Sequence, residues 1–157
     1  MNKLILLGTL LMSTCSGIAC PDLNGTWEGI CDRDGKTAPE SITIEQEKCE
    51  AISFYGLTYK IGMPYEERGE NLYEKMTNIY NFYWGEDEQV LYFDVDRIRW
   101  MKYKNVVSTG EGKGVIKIDG DKMRYFRSYY SRDREGQYNK SVRSCSFERV
   151  KTQKTGS

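Results

Sequence analysis

Apolar and polar residues alternate at period two along this chain, in short runs stopped by turn residues, and no run keeps the helical period of 3.6. Residues 25–31, 41–47 and 49–55 read as strands, with Ile42 and Ile44 on one face of the second and Thr43 and Glu45 on the other. Residues 72–84 read as a strand over at least their second half, because Tyr80, Phe82 and Trp84 recur at period two. Residues 89–96 and 98–107 follow as strands or as one long bent strand. Asp119-Gly120, between residues 115–118 and 122–131, is the strongest hairpin signal, since Asp-Gly supplies the positive φ angles of a type I′ turn. A last hairpin turns at 134–137 and returns along 138–150. Residues 62–71, with Pro64 and several acids, read as a loop. Residues 108–114 hold three glycines and read as a turn, lacking the spacing and following helix of a phosphate loop. Short connections between eight to nine strands predict an all-β fold, an antiparallel up-and-down β-barrel of about eight strands, whose closure would leave no exposed edge.

The domain plan is simple. Lys3, the apolar run Leu4–Met12 and the small residues up to Ala19 have the layout of a secretory signal peptide, which predicts cleavage after Ala19. Residues 1–19 are then a leader, 20–150 a single β-barrel domain and 151–157 a flexible tail. Cys15 and Cys20 each invite comparison with a lipidated cysteine, but the residues before them fit that pattern poorly. Cleavage leaves Cys20, Cys31, Cys49 and Cys145, an even set suited to two disulfides in an oxidising compartment, so the localisation expected is secreted or periplasmic. Four cysteines allow three pairings. The one expected here joins Cys31 to Cys49, clipping the first hairpin, and Cys20 to Cys145, tying the N-terminus to the last strand.

Composition narrows the chemistry. The chain has no histidine, which removes His-based zinc sites and the Ser/His and Cys/His nucleophile pairs. Its 12 Tyr, 5 Phe and 3 Trp are too many for a disordered chain. A mean hydropathy of −0.66 and the absence of a long apolar run beyond the leader argue against a transmembrane span. No CxxC spacing marks a redox or thiolate metal site. Nothing in the sequence asks for a cofactor or a metal. The pairs Asp94/Asp96 and Glu45/Glu47 lie two apart on strands, the spacing of any solvated face, so a carboxylate hydrolase is the weakest reading and no catalytic residue is named.

The segment Asp22-Leu23-Asn24-Gly25-Thr26-Trp27 resembles the Gly-x-Trp signature that opens the first strand of lipocalins and related calycin barrels, with Gly25 and Trp27 in the matching places. The resemblance implies an eight-stranded barrel whose closed end is plugged by Trp27, packed against an arginine of the last strand. Arg149 is the counterpart it points to, with Arg143 second. The Thr-Asp-Tyr loop motif that many lipocalins carry is absent.

A barrel of this kind either fills with side chains or holds one small ligand. The aromatic residues Tyr80, Phe82, Trp84, Tyr92, Trp100, Tyr125 and Tyr129, with Arg127, are the candidate ligand-binding set for a small apolar or anionic amphipathic molecule. Charge is also lopsided: residues 20–96 carry 6 Lys and Arg against 17 Asp and Glu, and residues 97–157 carry 16 against 6. The basic aromatic run 122–132 therefore supports a second reading, an interaction protein with a filled core, an inhibitor or envelope-associated partner that uses this hairpin. Export makes nucleic acid an improbable partner. Strict alternation puts Arg127 on the face of Met123, Tyr125 and Tyr129, and Arg124 on the face of Phe126 and Tyr130. If Arg127 faces inward it needs an acceptor: a Tyr hydroxyl, a carboxylate such as Asp94, or an anionic ligand group.

Overall fold

A computed structural model of the chain describes residues 20–86, 89–133 and 135–151. The leader and cleavage site expected at residues 1–19, and residues 152–157 of the tail, lie outside the described residues. Ten antiparallel strands form one sheet: β1 (Gly25–Arg33), β2 (Lys36–Glu47), β3 (Ala51–Phe54), β4 (Leu57–Lys60), β5 (Tyr65–Glu70), β6 (Glu74–Trp84), β7 (Val90–Met101), β8 (Val106–Asp119), β9 (Lys122–Arg132) and β10 (Tyr138–Arg149). Their order is β4-β3-β2-β1-β10-β9-β8-β7-β6-β5, a meander in which β1 also pairs with β10, and the sheet curls into a nearly closed barrel. Among the described residues no helix is long and apolar enough to cross a membrane.

The strand count is ten rather than about eight, and the two short strands explain the difference. β4 is four residues long, too short to show a period. β5 occupies the expected loop 62–71; its outward positions are Glu66, Arg68 and Glu70, so it owes its conformation to pairing with β6 and not to hydrophobic alternation. The barrel closes between β4 and β6. Gly62 N–H donates to Phe82 O (2.6 Å), Trp84 Nε1 donates to Cys49 O (3.0 Å), and the Tyr59 ring lies 5.0 Å from Tyr65, 5.5 Å from Tyr80 and 4.8 Å from Phe82. Each such ring pair contributes about 0.5–1.5 kcal/mol beyond the area it buries.

The predicted turn at 108–114 is the middle of β8, the longest strand. Gly110, Gly112 and Gly114 sit at alternate, inward positions, with Glu111 and Lys113 outward, so the glycines obey the strand period instead of breaking it. Their role is close approach. A Cβ on Gly114 would collide with the Phe93 ring, one on Gly110 with the Tyr129 phenol, and one on Gly112 would lie 2.7 Å from Val95 Cγ1. The wall is bare there so that large side chains from β7 and β9 can lie against it.

The disulfides join Cys20 to Cys49 and Cys31 to Cys145, not the pairing expected from sequence. Closure of the meander decides this: β1 pairs with β10 in a register that sets Cys31 directly opposite Cys145, with Cα atoms 4.0 Å apart. Cys20 is left beside the β2–β3 turn that carries Cys49. Two disulfides are compatible with an oxidising compartment.

The core fills the end of the barrel where the chain enters. Trp27 is fully buried there with Leu23, Ile44, Ile52, Phe82 and Leu91. Residues 20–24 cross this end as a plug: Trp27 Nε1 donates to Leu23 O (2.9 Å), Leu23 N–H to Gln46 Oε1 (2.7 Å), and Gln46 N–H to Asn24 Oδ1 (2.6 Å). Arg149 lies across the Trp27 ring, its Cζ 4.5 Å from the centroid, an interaction of about 0.5–2 kcal/mol.

Candidate functional site: the open half of the lumen

The inward face changes character along the barrel. Toward the closed end β7 turns Leu91, Phe93 and Val95 inward; toward the open end it turns Arg97 and Arg99 inward. β9 and β10 do the same, passing from Met123 to Arg127 and from Phe147 to Arg143. A cavity of about 220 Å³ lies where the two regimes meet. Phe82, Phe93, Ile116, Met123 and Phe147 line its apolar floor, and Glu67, Tyr80, Tyr125, Arg127 and Arg143 line its upper part. The wall beside it is low. β3 pairs with β2 only along Ile44–Glu47, which leaves the rest of β2 without a partner on that side, and Tyr55 at the β3–β4 turn borders the cavity.

The polar groups here are organised in pairs. Arg143 forms an ion pair with Glu40 and stands over the Tyr125 ring, 5.5 Å from its centroid. Arg97 Nε donates to Asn78 Oδ1 (2.7 Å), and Asn78 Nδ2 donates to Glu67 Oε2 (2.8 Å), which also accepts from the Tyr80 hydroxyl (3.3 Å). Arg97 lies 5.3 Å from the Tyr129 ring centroid. Arg99 is 3.1 Å from Glu74, an ion pair without hydrogen-bond alignment. Among the described residues, inward arginines in this half of the lumen thus number four (Arg97, Arg99, Arg127, Arg143) and inward glutamates three (Glu40, Glu67, Glu74).

Arg127 is the one left over. Among the described residues it has no carboxylate within 4 Å and no hydrogen-bond acceptor; its electrostatic neighbours are the Tyr80 and Tyr125 phenols. Asp94, suggested from sequence as an acceptor, faces outward, where its charge adds to burial in raising the pKa of the Tyr83 phenol. Burial raises the pKa of Tyr59, Tyr80 and Tyr125 above the ordinary phenol value, with the Glu67 charge adding to the effect at Tyr80. The phenols therefore stay protonated and remain donors beside the unpaired guanidinium.

Of the residues singled out from sequence, Tyr80, Phe82, Tyr125 and Arg127 meet in this cavity. Trp84 faces inward nearer the closed end, its Nε1 bonded to Cys49 O. Tyr129 belongs to the next layer up, a polar vestibule of about 450 Å³ shared with Arg97, Arg99 and Ser131. Tyr92 and Trp100 are corrections: β7 is one unbroken strand, so the parity that turns Leu91, Phe93 and Val95 inward turns both of them outward. Arg124, Phe126 and Tyr130 are also on the outer face. The pairs Asp94/Asp96 and Glu45/Glu47 likewise face out, and among the described residues no group of three or more side chains could hold a metal ion.

Tyr59, Glu67, Asn78 and Arg97 were not expected here from sequence, and Arg143 was expected only as a second counterpart of Trp27. Strand parity carried a usable signal for Arg143 and for Asn78. Counting back by twos from Arg149 through Phe147 and Cys145 reaches Arg143 on the same face. Asn78, buried as deeply as the core, lies on the face that Tyr80, Phe82 and Trp84 mark at period two. Comparison with protein families, with curated proteins and with solved structures gives no match to this chain.

Proposed function

We propose that this is an exported binding protein whose barrel holds a small amphipathic anion, with the apolar part on the floor formed by Phe82, Phe93, Ile116 and Met123 and the anionic group at Arg127. The carrying observation is the pairing in the open half of the lumen: among the described residues three inward arginines have a partner there and the fourth, at the rim of an apolar cavity, has none. Arg127 is half-buried at that rim, and a carboxylate or phosphate group would give its guanidinium a bidentate, charge-assisted partner. The cavity lies below the range of about 300–1,000 Å³ that suits drug-sized molecules, so the ligand is small. The resemblance of the Gly25–Trp27 segment to the lipocalin first strand supports the same reading. The filled-core alternative is disfavoured by the cavity.

Native mass spectrometry of protein isolated from cells that export it tests the reading. A small acid retained by the native chain and absent from an Arg127→Met chain is the expected result. A chain that arrives empty, and that also fails to take up any amphipathic acid offered, would refute it.

A further inference from the structure

We propose that the paired β5–β6 and β7–β8 turns, at the mouth of the barrel, dock on an anionic lipid surface. This stands apart from the lumenal reading, because none of its residues lines the apolar cavity.

The two turns form one preorganised tip. Asn71 Oδ1 accepts the N–H groups of Tyr73 (2.8 Å) and Glu74 (2.9 Å), shaping the first turn. Lys102 joins it to the second: its N–H donates to Tyr73 O (2.8 Å) and its ammonium to Asn71 O (2.9 Å) and Glu70 Oε1 (2.6 Å). Trp100 Nε1 reaches Asn105 Oδ1 (3.3 Å) in the same turn. Held in this way, the tip turns apolar side chains to solvent. Leu72 is 80% exposed, Tyr103 65% and Tyr73 63%, with Val107 and Trp100 beside them.

Apolar exposure on the tip is matched by positive charge. Lys75, Arg99, Lys102 and Lys104 face Glu70 and Glu74, a surplus of two cations; Glu70 serves both Lys75 and Lys102, and among the described residues Lys104 has no carboxylate partner. Lys75 lies 5.9 Å from the Trp100 ring centroid and Lys104 5.4 Å from that of Tyr103. Leucine with Trp and Tyr rings and lysine ammoniums is the composition that partitions into the headgroup layer: rings take the interface, aliphatic groups pass below it, and lysines meet anionic lipids. Shape decides between this tip and the other exposed apolar feature, the outer row Tyr83, Tyr92, Val115 and Phe126 that runs across four paired strands. That row lies along the barrel wall and not on a projecting turn, and Asp94 beside Lys113 leaves it without the surplus of positive charge that the tip carries.

The test adds ligand-free, full-length protein to vesicles rich in phosphatidylglycerol and to pure phosphatidylcholine vesicles, including brominated lipid, and follows tryptophan emission. Trp27 is fully buried and Trp84 half-buried, so bromolipid quenching that disappears in Trp100→Phe reports the tip. Expected are binding to the anionic vesicles with quenching at Trp100, binding about tenfold weaker in the Leu72→Ser/Tyr103→Ser chain, and a smaller loss in Lys104→Glu. Both variants change exposed turn residues, and thermal unfolding confirms their fold. The proposal is overturned if anionic vesicles do not bind. It is equally overturned if they bind with Trp100 unquenched, as they would through the apolar residues 4–12, or if the double variant binds undiminished. Dimerisation lost in the double variant, without vesicle binding, would assign the tip to a second copy of the chain. Failure of the lumenal reading leaves every one of these readouts unchanged.

Discussion

Two inward arginines, one at each end of the lumen, show how the same residue serves different purposes. Arg149 lies over Trp27 and its two Nη atoms find Asp22 Oδ2 (3.0 Å), Asn24 O (2.6 Å) and Asp22 O (2.6 Å). Arg127, four strand positions from Met123 and also among aromatic rings, finds no acceptor among the described residues. The plug at residues 20–24 makes the difference, because it brings backbone carbonyls and a carboxylate to the closed end, and among the described residues nothing equivalent crosses the open one. A guanidinium whose Nη donors are filled by its own chain holds the fold together. One whose donors are empty, above an apolar floor, is disposed to hold something else.

Substitutions at the two ends should separate these roles. The largest effect is expected from Trp27→Ala, which removes the centre of the closed end and should cost about 3–5 kcal/mol in urea unfolding; a neutral result would mean that the plug is not structural. Gly114→Ala comes next, at about 1–3 kcal/mol, because the added methyl displaces the Phe93 ring; a smaller loss would show that the bare stripe on β8 has slack. Arg127→Met should leave stability within about 0.5 kcal/mol, or raise it, since the guanidinium removed has no partner to strand. Arg124→Met, on the outer face, should change neither stability nor lumenal binding and alter only a weak attraction that salt screens.

Alkaline pH probes the layer between the two ends. Tyr59, Tyr80 and Tyr125 have pKa values raised by burial, so the folded state keeps its phenolic protons where the unfolded chain has begun to lose them. Their contribution is complete below the unfolded value of about 10 and declines as pH rises beyond it. Urea unfolding at pH 8 and pH 11 should show the loss, and Tyr80→Phe should reduce it.

Much of the closed end was legible in the sequence, and the open end much less so. Period-two alternation located β6, β9 and β10 and fixed which face of β9 carries Arg127, since strand parity is a local property. The Cys31–Cys145 bond was not legible, because it depends on β1 meeting β10, a contact between residues 114 apart. Gly110, Gly112 and Gly114 misled because glycine is read first as a turn former, whereas here its missing side chain matters and its flexibility does not. Tyr92 and Trp100 were expected in the lumen as aromatic residues, and a single unbroken β7 puts them outside. Which polar groups converge on Arg127 depends on five strands at once and has no signature along the chain.

The central claim is that the unpaired Arg127 selects an anion above an apolar floor, and calorimetric titration tests it most directly. Octanoate and octan-1-ol share a tail and differ in the head group, so each is titrated into the native chain and into Arg127→Met at low and high salt. The account predicts that octanoate binds the native chain about tenfold to a hundredfold more tightly than the alcohol, the worth of a charge-assisted hydrogen bond, that the preference depends little on salt, and that Arg127→Met abolishes it. Equal affinity for acid and alcohol, or a preference that survives Arg127→Met, would contradict it.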